Sequence, residues 1–152
     1  MRIFGVDPDA ESHGVAYFEN GKLEWLDKLT IVDLMIIALN ANEGGYINEI
    51  MFSMENVCAN NFVYARNVHS SKSAQSQIAM RIGRCQQSQV ELMRILDHFG
   101  IKYALHKPTA KNWAKNRDLF EKVTGWKGRS NEDTRSSAYF GWLESTNHQA
   151  NR

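Results

Sequence analysis

The chain has 152 residues, 43% hydrophobic and 23% charged, the length and balance of one soluble globular domain that can bury a core without staples. This excludes disorder and collagen-like composition, and no apolar run approaches the roughly 18 residues of a membrane helix. The net charge of +1 hides a split: residues 1–55 hold three basic residues against ten acids, a net of −7, and residues 56–152 hold fifteen against seven, a net of +8, which points to an anionic partner for the second part.

Arg2 to Val6 reads as a short buried strand closed by Asp7, unlike a signal peptide. Gly14 to Glu19 and Lys22 to Leu29 are two more strands. Asn20-Gly21 between them favours the positive φ angles of a tight type I′ turn. Thr30 caps a helix through Asn40, and Asp33 completes a capping box. After Gly44-Gly45, Glu49 to Met54 is a fourth strand, ending at Glu55. Val57 to Ser73 is a polar loop or short helix in which Phe62 and Tyr64 stand out. Ala74 to Phe99 is a long helix, since Ile78, Ile82, Cys85, Gln89, Leu92, Leu96 and Phe99 recur in steps of four and three. That seam suits packing on the sheet, and it also suits a second copy of the same helix. Gly100 stops the helix, and Ile101 to Leu105 is a fifth strand. Pro108 opens another helix through about Val123. Ser130 or Asn131 caps the last helix, which runs to about Ser145. Residues 1–145 then form a single domain, with 146–152 a polar, frayed tail. Three strands, helix, strand, helix, strand and two helices make a mixed α/β layer architecture. Cys58 and Cys85 form neither a disulfide framework nor a four-ligand zinc site, and read as small buried hydrophobes in a reducing cytoplasm.

Eight basic residues lie between Lys102 and Arg129, with Trp113 and Trp126 among them. The mixture suits phosphate contact and base stacking, and equally a solvated basic helix with its tryptophans turned inward. Asp7 and Glu55 end strands that this topology places side by side, in the crevice where α/β sheets carry their sites. Asp133 lies in the first turn of the last helix, beside Glu132. Converging carboxylates provide the oxygen ligands of a hard divalent cation, and two such ions can activate a water and stabilise the leaving oxygen of a phosphodiester. Each acid alone also fits a plainer role: a turn at Asp7-Pro8-Asp9, an exposed strand end at Glu55, a helix-capping acid at Asp133.

Gly5-Val6-Asp7-Pro8-Asp9 followed by His13-Gly14-Val15-Ala16, Met54-Glu55-Asn56-Val57, and Asn131-Glu132-Asp133-Thr134-Arg135-Ser136-Ser137-Ala138 together resemble the three motifs of RuvC-like Holliday junction resolvases, nearest the small phage-type members. The resemblance runs from Arg2 to Leu143. It implies an RNase H-like fold: a five-stranded mixed sheet, three antiparallel strands then parallel additions, flanked by helices. It implies a homodimeric endonuclease, cytoplasmic in its host, that makes paired nicks in four-way DNA junctions with two Mg²⁺ or Mn²⁺ ions and no organic cofactor. Asp7, Glu55 and Asp133 would be metal ligands and catalytic residues, with Glu132 at the same corner. Lys107 and Lys111 resemble the family's basic residues near the scissile phosphate. Phe62 or Tyr64 would supply the aromatic wedge that unstacks a base step. Arg66, Lys72, Arg81, Arg84, Lys115, Lys127 and Arg129 would contact DNA phosphates. One departure stands out: three residues after Asp133, where the family carries a second acid, this chain has Ser136. Three alternatives follow from it. The site manages with Asp7, Glu55 and the Glu132-Asp133 pair, or position 136 has been changed to trap bound DNA, or the chain binds junctions with impaired cleavage. Another RNase H-like nuclease, cutting flaps or RNA–DNA hybrids, is a further alternative.

Overall fold

The computed structural model describes residues 1–59 and 71–151. Its elements are β1 (Arg2–Asp7), β2 (His13–Glu19), β3 (Lys22–Leu29), α1 (Ile31–Glu43), β4 (Ile50–Glu55), α2 (Lys72–Phe99), β5 (Lys102–His106), α3 (Arg117–Thr124) and α4 (Glu132–Ala150). The strands form one sheet in the order β3-β2-β1-β4-β5. β1, β2 and β3 are antiparallel, whereas β4 joins β1 and β5 joins β4 in parallel. This is the mixed sheet implied by the sequence.

Side chains alternate across a strand, and β1 divides its residues between two cores. Phe4 and Val6 pack with Leu34 and Ala38 of α1 and with Leu92 and Leu96 of α2. Ile3 packs on the other face with Phe120 of α3 and Ala138 and Phe140 of α4. Asn20 (φ 50°) and Gly21 (φ 85°) both take the positive φ of a type I′ hairpin. The strands beyond the turn do not keep its register. Phe18 pairs with Leu23 but Tyr17 with Trp25, so Glu24 is an extra residue, a β-bulge.

Thr30 and Asp33 make the expected capping box on α1. Opposite its buried face, α1 exposes an apolar stripe of Val32, Met35, Ile36 and Leu39. The seam of α2 is used on the chain's own sheet: Leu92 and Leu96 are fully buried, and so is Gln89. The Gln89 amide donates to Asn56 Oδ1 (2.9 Å) and accepts from the Cys58 N–H (3.2 Å), so it is satisfied within the chain's own fold.

Three expectations are corrected here. No helix opens at Pro108. Side-chain oxygens of Thr109 and Asn112 take the backbone N–H groups of Lys111 and Ala114, which holds residues 107–116 in turns until Asn116 caps α3. The last helix does not fray at Ser145 but continues to Ala150, with His148 Nε2 3.3 Å from Met51 Sδ. Cys58 is exposed and Cys85 only partly buried, both as free thiols. Trp113 is turned inward, its indole N–H donating to the Arg135 carbonyl at 2.7 Å, so it is core rather than a stacking platform. Among the described residues, no helix is long and apolar enough to cross a membrane.

α4 lies directly on the backbones of β1 and β2. A Cβ on Gly5 would sit 2.7 Å from the Gly141 nitrogen and against the Ser137 carbonyl oxygen, and a Cβ on Gly14 would sit 2.6 Å from the Asp133 carbonyl carbon. These neighbours are backbone and cannot swing aside. Gly5→Ala is therefore expected to lower unfolding free energy by about 3 kcal/mol. Gly83→Ala, inside α2 with nothing within 4 Å of the new methyl, is expected to raise it by about 1 kcal/mol. Urea denaturation of the two variants checks the pair.

Candidate functional site at the acidic corner of the sheet

The strand registers assemble one row of side chains across the sheet. Asp7 pairs with Gly14, and Gly14 pairs with Lys28. On the other side Val6 pairs with Met54, which sets Glu55 beside Asp7, and Glu55 pairs with His106. Alternation puts this row on the face that α4 covers, the face from which Ser53 donates its hydroxyl to the Phe140 carbonyl (2.6 Å).

The N-terminus of α4 is laid over the row. Asn131 is its cap, accepting from the Thr134 N–H, while Thr134 Oγ1 accepts from the Asn131 N–H (both 2.9 Å). Asp133 is therefore not the capping acid. The Lys28 ammonium donates to Asp133 Oδ2 at 2.7 Å and lies 3.9 Å from Asp9 Oδ2.

Asp7 is held differently. Burial first, then the charges of Glu55 and Asp133, push its carboxyl up from the ordinary 3.8 to about 8. A hydrogen bond with Glu55 adds to the rise, and the Ser136 hydroxyl, donating to Asp7, opposes it. Asp7 and Glu55 thus share a hydrogen bond in a place that disfavours a second negative charge. Ser136 is itself fixed, because its oxygen accepts from Asn112 Nδ2 at 2.8 Å. His13 closes the β1–β2 turn: its Nδ1 accepts from the Asp9 N–H (3.2 Å), and burial pushes the imidazole down to about 4.

The expected metal centre is not borne out. Among the described residues, no three His, Cys, Asp or Glu side chains gather to hold a metal ion, which overturns the assignment of two Mg²⁺ or Mn²⁺ ions to Asp7, Glu55, Asp133 and Glu132. The reason lies in the partners. Asp133 is turned to a lysine, Asp7 is buried and hydrogen-bonded with Glu55, and Glu132 is exposed at the start of α4. These residues do not fit a two-metal site, and no chemical step is derived through one.

Beside the corner runs a cleft of about 470 Å³, walled by Asp9, Ala10, Glu11 and Ser12 on one side and by Gln77, Met80, Arg81 and Arg84 of α2 on the other. Arg81 and Arg84 thus lie close to Asp9 and the corner. Lys107, Lys111 and Lys115 are exposed between β5 and α3, Lys127 and Arg129 are exposed before α4, and Lys72 is exposed at the start of α2. Phe62, Tyr64 and Arg66 lie outside the described residues. Sequence reasoning missed Lys28, Asp9, His13 and Asn112 as parts of the corner.

No protein-family model matches the chain, and a search of curated proteins gave no match. Among solved structures, Thermus thermophilus RuvC in complex with a Holliday junction substrate is similar over 99% of this chain and 96% of its own, with a TM-score of 0.59 and 10% identity. A second Thermus thermophilus RuvC structure is similar over 99% and 97%, with a TM-score of 0.57 and 10% identity. The chain has the RNase H-like fold of RuvC. At this identity the likeness to RuvC is one of fold, and the chemistry of the corner has to be read from its own residues.

Two of those residues make opposite contributions to pH-dependent stability. Asp7 is protonated in the folded chain and ionised in the unfolded one between pH 3.8 and about 8, so its contribution is lost as pH rises across that window. His13 is neutral when folded and protonated when unfolded between pH 6.5 and about 4, so its contribution is lost as pH falls. The two slopes oppose each other below pH 6.5, and only that of Asp7 remains above it. Stability is expected to fall between pH 6.5 and 8 by up to about 1.4 kcal/mol per pH unit. Asp7→Asn should flatten this limb and leave the protein at least about 2 kcal/mol more stable at pH 8. Urea midpoints taken across the range test it; an unchanged limb in the variant would assign the slope elsewhere.

Proposed function

We propose that this chain binds branched DNA, with the four-way junction as its preferred form, and that it lacks a competent metal-dependent cleavage centre. The observation that carries this reading is the Lys28–Asp133 ion pair beside the buried Asp7, at the strand ends of a RuvC fold. The RuvC of Thermus thermophilus was solved with a Holliday junction substrate, which supports a branched partner for a chain of the same fold. The exposed Arg81, Arg84, Lys107, Lys111, Lys115, Lys127 and Arg129 supply the phosphate contacts that an acidic corner cannot. A homodimer would match the two-fold symmetry of a junction, and the apolar stripe on α1 is a surface it could use.

The test is a binding and cleavage comparison on a labelled four-way junction, a matched linear duplex and an RNA–DNA hybrid, each in Mg²⁺, Mn²⁺ or EDTA. The junction should bind at least about tenfold more tightly than the duplex, with all strands intact in every buffer. Equal affinity for junction and duplex would remove the branched-DNA reading. Paired nicks would restore the resolvase reading, and cutting of the hybrid alone would favour another RNase H-like nuclease. Replacing both Arg81 and Arg84 by Gln should weaken junction and duplex alike and lower the salt slope of binding by about 2.

A further inference from the structure

Lys28 is a strand residue whose ammonium reaches two acids contributed by other elements, Asp133 at 2.7 Å and Asp9 at 3.9 Å. Its place is built by the backbone. The bulge at Glu24 sets Lys28 opposite Gly14. Gly14 has no side chain, and the Asp133 backbone occupies the space a Cβ would need. The lysine side chain lies next to that contact and remains 30% exposed. On its far side Asp9 forms one wall of the cleft that also holds Arg81 and Arg84. The ammonium therefore links an acid at the start of α4 with an acid on the wall of the cleft.

We propose that Lys28 is a resident cation of the acidic corner: its fixed ammonium neutralises Asp133 and Asp9 and offers a contact to a DNA phosphate, so that a polyanion lies against the corner without a divalent ion. The phosphate contact rests on the branched-DNA reading above; the neutralisation of the two acids does not. The physical need is plain. Asp133, Asp9 and Glu55 would each repel an incoming phosphate, and like charges at these separations disfavour binding unless a cation stands among them. A mobile ion would make binding depend on its concentration, whereas a lysine held by the sheet does not.

The experiment compares the full chain with Lys28→Gln, Lys28→Arg and Lys22→Gln, the last an exposed lysine at the hairpin end of β3. Binding to a labelled four-way junction is measured in EDTA and in millimolar Mg²⁺. The unaltered protein should bind within about twofold in the two buffers, Lys28→Gln should lose about tenfold in EDTA, Lys28→Arg should keep most of the affinity, and Lys22→Gln should stay within about twofold. If Lys28→Gln is no weaker than Lys22→Gln, the phosphate contact is overturned. A second measurement needs no DNA. Thermal unfolding in EDTA is recorded for Lys28→Gln, Asp133→Asn and the double variant. Lys28→Gln should lower Tm, and adding Asp133→Asn should recover more than half of the loss, because the uncompensated charge is then gone. Additive losses would overturn the neutralising role. A protein that binds no junction but shows this recovery would refute the branched-DNA reading and leave the resident cation standing.

Discussion

The contact on which the structure depends is backbone against backbone, where α4 crosses β1 and β2. Gly5, Gly14 and Gly141 bear no side chains at the crossing, and Gly141 could carry none without meeting the Phe18 ring at 2.7 Å. The close approach brings the first turns of α4 onto the row of strand ends. Ser136 then reaches Asp7, Asp133 reaches Lys28, and the Phe140 carbonyl takes the Ser53 hydroxyl. A helix held one side chain's thickness further out would make none of these bonds. The interior would be looser, and the acids would stand apart in water.

Given that approach, the corner must cope with several acids at once. Two devices do so. Asp7 meets Glu55 through a hydrogen bond, its carboxyl pushed well up by burial, and Lys28 offsets the charge of Asp133. Ser136 belongs to the same arrangement. It is buried, it donates to Asp7, and Asn112 in turn donates to it. An acid at 136 would replace a neutral donor with a further negative charge facing a carboxyl already pushed up to about 8. The serine is thus consistent with its surroundings, including Asn112, which contributes a donor and no charge.

Local chemistry made much of the fold legible. The Asn20-Gly21 turn, the Thr30–Asp33 capping box and the stop at Gly100 each work through neighbours a few residues away, and each stands as read. Asp7 and Glu55 were likewise found as strand-end acids, and the β1–β4 register brings them together. Lys28 was hidden by the bulge. A regular hairpin continued from Glu19–Lys22 would pair Gly14 with Asp27, and a single extra residue, Glu24, moves Lys28 into that place. Nothing in the run Lys22 to Leu29 marks Glu24 as the bulged residue before the sheet is formed. Pro108 misled for a related reason. The proline permits a helix start, but the side chains of Thr109 and Asn112 compete for the backbone N–H groups that a helix would use.

The charge split between the two parts of the sequence acquires its meaning from this geometry. The acidic first part contributes Asp7, Asp9 and Glu55 to the corner, together with Lys28, one of only three basic residues among its 55. The basic second part contributes Arg81 and Arg84 to the facing wall of the cleft. Lys28 reaches Asp133 of α4 on one side and Asp9 of the cleft wall on the other. The same lysine therefore bears on both questions the corner raises: with its charge on Asp133, that carboxylate is committed to a protein partner, and with part of its surface open, the corner still presents a cation to solvent. Likeness to RuvC is one of fold, and it is the residues at these strand ends that decide the chemistry of the corner.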